Sequence, residues 1–81
     1  ADTLGWLLFQ AGQIKESLPY LKKARDGAPG HPEIGYHYAV SLSDNGQKAE
    51  ARKTIKSVLD TGKKFQGINE ARALYKKLLQ K

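Results

Sequence analysis

Two stretches of the chain decide its fold: residues 4–28, LGWLLFQAGQIKESLPYLKKARDGA, and residues 38–62, YAVSLSDNGQKAEARKTIKSVLDTG. When the second stretch is aligned with the first at an offset of 34 residues, six positions are identical. The identical pairs are Leu8 and Leu42, Gly12 and Gly46, Gln13 and Gln47, Glu16 and Glu50, Lys22 and Lys56, and Asp26 and Asp60. The chain therefore contains an internal repeat with a period of 34 residues.

Each repeat has the periodicity of a pair of helices. Apolar residues recur at helical spacing, and a glycine follows each of the first four predicted helices, where a left-handed residue ends a helix well. Helices are predicted from Thr3 to Ala11, Ile14 to Asp26, Pro32 to Asn45, Lys48 to Thr61 and Asn69 to Gln80. Because the connections are short, neighbouring helices are expected to run antiparallel. The chain is predicted to be all-α.

The composition limits the kind of protein this can be. The 81 residues, of which 40% are apolar and 27% charged, suit one small globular domain. Without cysteine, the chain cannot form disulfides or thiolate-bound metal sites. No run approaches the ~20 apolar residues of a membrane span, and no basic-then-apolar leader is present. Because the sequence starts without methionine, we expect a processed protein or a fragment.

The residues at fixed positions of the repeat resemble those of the tetratricopeptide repeat family, whose helix pairs recur about every 34 residues. In the first repeat the matching positions are Leu4, Gly5, Leu8, Gly12, Ser17, Leu21, Ala24 and Pro29. In the second they are Tyr38, Ala39, Leu42, Gly46, Ala51, Ile55 and Val58. The resemblance implies an α-α superhelix, a right-handed stack of antiparallel helical hairpins. Its small residues are expected where helices cross closely: Gly5, Ala39, Ser17 and Ala51.

The resemblance divides a single domain, residues 1–81, into two repeats and a cap. Repeat one spans residues 1–31 and lacks its first residues, repeat two spans residues 32–65, and a capping helix spans residues 68–80. About three repeats are normally needed for a stable array, so the chain is expected to be part of a longer one. Its uncapped N-terminal helix is then expected to be open to self-association with another copy.

A finer resemblance concerns the stretch from Asp2 to Phe9, the stretch from Pro32 to His37 and the lysine-rich ending with Phe65. These segments resemble the C-terminal repeats of long bacterial tetratricopeptide lipoproteins of the exopolysaccharide- and exosortase-associated type. That resemblance implies a periplasmic or membrane-associated location within a longer lipoprotein. Without it, a cytoplasmic location is expected.

The family resemblance also implies a concave groove, lined by the first helix of each pair, that binds a peptide segment or a partner domain. The outward residues of those helices are Asp2, Thr3, Trp6, Phe9, Gln10, Glu33, Tyr36, His37, Val40, Ser43 and Asp44. Trp6 and Tyr36 are the candidate anchors, since buried aromatic rings dominate many interfaces. For both residues, packing inside the array is the alternative to direct contact with a partner.

The candidate groove mixes aromatic residues with acids. Some members of the family hold the terminal carboxylate of a peptide with lysines and asparagines in this groove. Here Asp2 and Glu33 carry negative charge, and Trp6, Tyr36 and Val40 offer no cation. We therefore predict that acidic C-terminal tails do not bind.

The formal charge of +6 is concentrated in the second part of the chain. Residues 1–47 carry four basic and five acidic residues, whereas residues 48–81 carry ten and three. A candidate basic patch consists of Lys48, Arg52, Lys53 and Lys56. It is either a solvated convex face or a contact for an anionic partner, such as an acidic protein, a lipid surface, a polysaccharide or nucleic acid. Nucleic acid is disfavoured because few aromatic residues accompany the bases.

No pattern in the sequence indicates catalysis or a cofactor. His31 and His37 are six residues apart, which turns the two rings to different faces of a helix, so no metal site is predicted with Glu33. There is no glycine-rich phosphate loop after a strand. The sequence therefore predicts a non-enzymatic interaction scaffold without metal or cofactor, whose partner is a protein or peptide.

Overall fold

The computed structural model describes residues 3–28 and 30–80. In these ranges the chain forms the helices α1 (Thr3–Gln10), α2 (Ile14–Gly27), α3 (Pro32–Asp44), α4 (Lys48–Asp60) and α5 (Ile68–Leu79), and no strand. Each predicted helix is present, and each of its ends lies within one residue of the predicted end. The all-α prediction is confirmed.

Consecutive helices pack against each other: α1 on α2, α2 on α3, α3 on α4, and α4 on α5. We call α1 and α2 the first hairpin, and α3 and α4 the second hairpin. The second hairpin therefore has a packed neighbour on both sides, α2 on one and α5 on the other. In the described residues, α1 has extensive contact only with α2.

The two hairpins turn in the same way. Gly12 and Gly46, at φ angles of 86° and 84°, occupy the left-handed conformation that a side chain disfavours. The N–H of each glycine donates to the carbonyl three residues before it. The N–H of the following glutamine donates to the carbonyl five residues before that glutamine, which completes a Schellman motif. The acceptors are Phe9 and Leu8 for the first turn, at 3.0 and 2.9 Å, and Ser43 and Leu42 for the second, at 3.1 and 2.9 Å. The 34-residue repeat is thus reproduced in its backbone hydrogen bonds.

Small residues lie where the helices cross. A Cβ atom added to Gly5 would lie 2.8 Å from Cγ of Leu21, so α1 and α2 touch closely there. Ala39 and Ala51 are fully buried. Ser17 is buried too, and its hydroxyl donates to the carbonyl of Ile14 at 2.6 Å. The expected small positions are therefore confirmed as sites of close packing.

The main core belongs to α3, α4 and α5. It consists of buried Ala39, Ile55, Val58 and Ala71. Half-buried apolar residues pack around it: Tyr36, Leu59, Phe65, Leu74, Tyr75 and Leu78. On α1, by contrast, Leu4 and Leu7 are 52% and 57% exposed. The side chains of Leu4 and Leu7 are thus left largely uncovered by the described part of the chain.

Candidate functional site

Five ring-bearing side chains form a continuous row from α1 across α3 to the loop before α5. We call this set the aromatic row; it consists of Phe9, Trp6, His37, Tyr36 and Phe65. Trp6 lies nearly parallel to both Phe9 and His37, with ring centroids 4.9 and 3.8 Å away. Tyr36 is tilted against His37 at 5.9 Å and against Phe65 at 6.0 Å. The row thus connects side chains that are far apart in sequence.

Helix geometry and helix packing together create the row. Trp6 and Phe9 are three residues apart on α1, so their rings share one face. The stacking of Trp6 on His37 joins the first helix of the first hairpin to the first helix of the second. Trp6 is half-buried, so it packs between the hairpins and also keeps part of its surface open.

An open depression of about 430 Å³ lies beside the row. From α1 and α3 it is lined by Trp6, Glu33, Tyr36 and His37. From the loop before α5 and from α5 itself it is lined by Gln66, Gly67 and Glu70. None of these lining residues is lysine or arginine, and two are glutamates. The depression is therefore an acidic, aromatic-lined site in a chain whose formal charge is +6.

Gly67 leaves room for the Tyr36 ring at the side of the depression. The backbone of Gly67 has a φ angle of 98°, and a Cβ atom there would lie 3.1 Å from Cε2 of the Tyr36 ring. Burial raises the pKa of Tyr36 above its ordinary value of 10.0, and the negative charge of Glu70 raises it further. The carboxylate of Glu70 thus acts electrostatically on the phenol of Tyr36.

Comparison with known proteins agrees with this geometry. A family model described as tetratricopeptide repeat matches residues 8–66, which include both glycine turns. The chain belongs to the tetratricopeptide repeat family. Tetratricopeptide repeats generally mediate protein–protein interactions and are typically non-enzymatic scaffolds. No curated protein matches the chain, and no solved structure matches it.

The structure brings together four of the residues predicted for the tetratricopeptide groove. Trp6, Glu33, Tyr36 and His37 share the depression, and Phe9 extends the row. The remaining predicted groove residues do not line the depression. Thr3, Gln10 and Asp44 are exposed, Val40 is half-buried, Ser43 is buried, and Asp2 lies outside the described residues.

Ser43 differs most from the expected outward position. It is only 6% exposed, and its hydroxyl accepts a long hydrogen bond of 3.4 Å from the ammonium group of Lys48. It lies in the last turn of α3, where the chain folds back into α4, so the hairpin itself covers it. Ser43 is therefore part of the hairpin packing of this tetratricopeptide repeat and offers little surface to a partner.

The residues missed by the sequence analysis come from one region. Gln66, Gly67 and Glu70 precede or begin α5, outside the two first helices on which the groove was predicted. The φ angle of Gly67 and its proximity to Tyr36 arise from the three-dimensional packing of the loop. Only the acidic residue in the first turn of α5 was a visible signal in the sequence.

The basic patch lies on α4. Lys48, Arg52, Lys53 and Lys56 are all exposed. The ammonium group of Lys56 is 2.9 Å from the carboxylate of Asp60, one helical turn away. This hydrogen bond, together with the charge of Asp60, raises the pKa of Lys56. One of the four cations thus has a carboxylate partner, in a pair whose exposure makes its contribution to stability small.

Two further properties of the described residues bear on partners. Within residues 3–28 and 30–80, no three His, Cys, Asp or Glu side chains are grouped so that they would hold a metal ion. In the same part of the chain no helix is both long and apolar enough to span a bilayer. His31 is exposed and precedes α3 at its N-cap, away from the depression that His37 lines.

Proposed function

We propose that this chain is an interaction scaffold without catalytic activity, which binds a peptide segment or a partner domain on its aromatic row. The observation that carries the proposal is the row itself, with the depression beside it. Aromatic rings supply large contact areas at a low cost in conformational entropy. Flat rings beside an open depression suit a segment that lies on the row and inserts a side chain.

The anchors are Trp6 and Tyr36. Trp6 stacks between Phe9 and His37, and Tyr36 packs against His37 and Phe65, so both rings are already ordered before a partner arrives. Side chains that are already fixed lose little rotamer entropy on binding. We therefore expect removal of either ring to cost more than removal of an exposed ring elsewhere.

A direct test uses a library of random 12-residue peptides selected on the immobilised chain. Trp6 is the only tryptophan of the protein, so its fluorescence reports binding at the row itself. Selected peptides are expected to change the Trp6 emission and to bind Tyr36→Ala at least about tenfold more weakly, the scale of an interface hot spot. Tyr20→Ala, which removes an exposed tyrosine on α2, is the matched control and should leave binding unchanged.

Two results would contradict the proposal. One is that selected peptides bind the Tyr36→Ala variant as well as they bind the original chain. The other is that they bind without any change in the Trp6 emission. Either result would place the binding surface elsewhere.

The basic patch supports a second candidate function, contact with an anionic protein, lipid surface, polysaccharide or nucleic acid. Its support is the exposure of all four cations on one helix. Replacing Lys48, Arg52 and Lys56 by glutamate tests it. If the patch is the contact, the triple variant stops binding, and salt abolishes binding by the original chain. Binding on the aromatic row should be retained in both cases.

The division of the chain is proposed on the same basis. We propose repeats over residues 1–31 and 32–65 and a capping helix over residues 68–80, supported by the two equivalent glycine turns. Self-association through α1 is proposed from the exposed side chains of Leu4 and Leu7, and sedimentation at high concentration tests it. The lipoprotein resemblance and the location it implies stay predictions, and the family match does not extend to them.

A further inference from the structure

We propose that the depression beside the aromatic row accepts the guanidinium group of an arginine from the bound segment. The inference rests on the proposed function and specifies the partner's chemistry. Glu33 and Glu70 would supply the opposite charge, and Tyr36 the ring surface. The partner is thus a segment with an arginine at the position that meets the depression.

Charge complementarity is the first argument. The chain as a whole carries a formal charge of +6, which repels cations at long range. Yet the residues that line the depression include two glutamates and neither lysine nor arginine. The depression therefore favours a positive group by local contact, against the average charge of the protein.

Ring chemistry is the second argument. The indole of Trp6 and the phenol of Tyr36 line the same depression as the two glutamates. A cation within about 6 Å of an aromatic face is attracted by the ring's negative π-surface. The Tyr36 ring supplies that face, because Phe9 and His37 already stack on Trp6. A guanidinium group is flat and weakly hydrated, so it stacks on rings and also donates to carboxylates, whereas an ammonium group prefers water.

The arrangement around Tyr36 is the third argument. Gly67 lies so close to the Tyr36 ring that a Cβ atom there would be 3.1 Å from it, so the absence of a side chain leaves the ring its place at the edge of the depression. The carboxylate of Glu70 acts on the same ring, because it adds to burial in raising the pKa of Tyr36. A cation placed there would meet a ring surface and a negative charge together.

The test uses three synthetic sets of 12-residue peptides that differ only in the central residue: arginine, lysine or citrulline. Citrulline has nearly the shape of arginine without its charge. Binding to the full chain is followed by Trp6 fluorescence, with Trp6 the single tryptophan. The arginine set is expected to bind about tenfold more tightly than the citrulline set and clearly more tightly than the lysine set.

Matched variants of the protein locate the effect. In Glu33→Gln/Glu70→Gln the advantage of arginine over citrulline should fall to about twofold or less. Without these two carboxylates, the arginine can form ion pairs only with exposed charges outside the depression, and such pairs contribute little. Glu16→Gln/Glu50→Gln makes the same change in net charge at exposed positions on α2 and α4, so it should keep the advantage. Far-ultraviolet circular dichroism of both variants confirms that the helices are retained.

Each other outcome has a distinct meaning. If arginine and citrulline sets bind equally, and binding is lost in Tyr36→Ala, the arginine inference is overturned and the proposed function survives. If lysine binds as tightly as arginine, or the preference persists in Glu33→Gln/Glu70→Gln, the assignment to a guanidinium in this depression is overturned. If no set binds although peptides selected from the random library do, only the arginine inference is overturned; if no selected peptide binds either, the proposed function fails as well.

Discussion

The first and second hairpins come from equivalent stretches of sequence, yet they differ greatly in how much they bury. Their turns share hydrogen bonds and glycine angles. In the first hairpin the buried residues are Gly5, Ser17 and Leu21. In the second they are Gly35, Ala39, Ser41, Leu42, Ser43, Ala51, Thr54, Ile55 and Val58.

The difference teaches that local sequence sets the shape of each hairpin, whereas its neighbours set its stability. The second hairpin packs between α2 and α5, so both its sides are covered. The first hairpin packs on the second from one side, and Leu4 and Leu7 remain more than half exposed. Because burial of apolar surface is the main stabilising contribution, the second hairpin should be the more stable unit.

The largest expected effect comes from shortening the matched core residues. Leu21 and Ile55 are 34 positions apart, and both are 0% exposed. Ile55 belongs to the main core of α3, α4 and α5, so we expect Ile55→Ala to lower the free energy of unfolding by about 4 kcal/mol. Leu21→Ala should cost about 2–3 kcal/mol, because the hairpin around it is covered on one side. Urea unfolding followed by circular dichroism measures both.

Lys53→Ala serves as the control, because an exposed position on α4 should change the free energy by less than about 0.5 kcal/mol. A larger loss for Leu21→Ala than for Ile55→Ala would break the comparison. It would mean that the first hairpin carries the stability of the chain.

The next effect concerns glycines at close helix contacts. A Cβ atom on Gly35 would lie 2.5 Å from Cγ2 of Val58, with the next nearest atom at 4.0 Å. Gly35→Ala should therefore destabilise the chain by about 1–3 kcal/mol, although glycine to alanine usually stabilises a helix interior. Because one methyl group causes the clash, Val58→Ala should relieve it, with a coupling of about 1 kcal/mol or more in a double-mutant cycle.

Gly5 sharpens this result. A Cβ atom there would meet Cγ of Leu21 at 2.8 Å and also the backbone nitrogen of Leu21 at 3.1 Å. Leu21→Ala removes only the side-chain contact, so it should rescue Gly5→Ala less completely. If Leu21→Ala rescues Gly5→Ala as fully as Val58→Ala rescues Gly35→Ala, the backbone contact at Gly5 costs little, and α1 can shift on α2.

A smaller effect tests the equivalence of the two turns. Gly12→Ala and Gly46→Ala each place a side chain at a positive φ angle, so each should cost about 1 kcal/mol. The two costs should agree within about 0.5 kcal/mol, since the hydrogen bonds match. Gly27→Ala is the control: Gly27 has no positive φ angle and nothing near its Cβ position, so alanine should be neutral or stabilising there. Thermal unfolding measures all three, and unequal costs would contradict the equivalence.

Sequence periodicity was sufficient for the helices because each signal in it is local. The glycine turns depend on neighbouring residues along the chain, and so do the helix ends, which lay within one residue of prediction. The small residues Gly5 and Ala39 were also predictable, because they occupy equivalent positions of the two repeats, where the two helices of a hairpin cross. These features need no knowledge of which distant segment packs against which.

The candidate site was predictable only in part, for the opposite reason. Trp6, Tyr36 and His37 were placed on the first helices by periodicity, but the stacking of Trp6 on His37 depends on how α1 meets α3. The remaining lining residues, Gln66, Gly67 and Glu70, come from the loop before α5 and from the first turn of α5, whose position the repeat does not fix. Ser43 was expected outward, and the return of the chain into α4 buries it.

The smallest expected effect concerns the pKa values of two tyrosines on α3, Tyr36 and Tyr38, each of which lies near a different helix. Burial raises the pKa of both Tyr36 and Tyr38. The charge of Glu70, on α5, raises the pKa of Tyr36 further. For Tyr38, Arg25 of α2 lowers the pKa, whereas Glu50 of α4 raises it. Glu70→Gln should lower the pKa of Tyr36 and leave that of Tyr38 unchanged, and Glu50→Gln should do the reverse. Nuclear magnetic resonance of the tyrosine ζ-carbons during a pH titration separates the two rings.

The same titration has a consequence for stability, and its sign is fixed. The pKa of Tyr36 is raised in the folded chain, so its contribution to stability is complete below the unfolded pKa of about 10 and is lost as pH rises through the folded value. Glu70→Gln brings the two pKa values closer, so the loss of stability in alkali should become smaller. If Glu70→Gln shifts the pKa of Tyr38 and not that of Tyr36, the position of Glu70 beside Tyr36 is wrong, and the acidic wall of the depression with it.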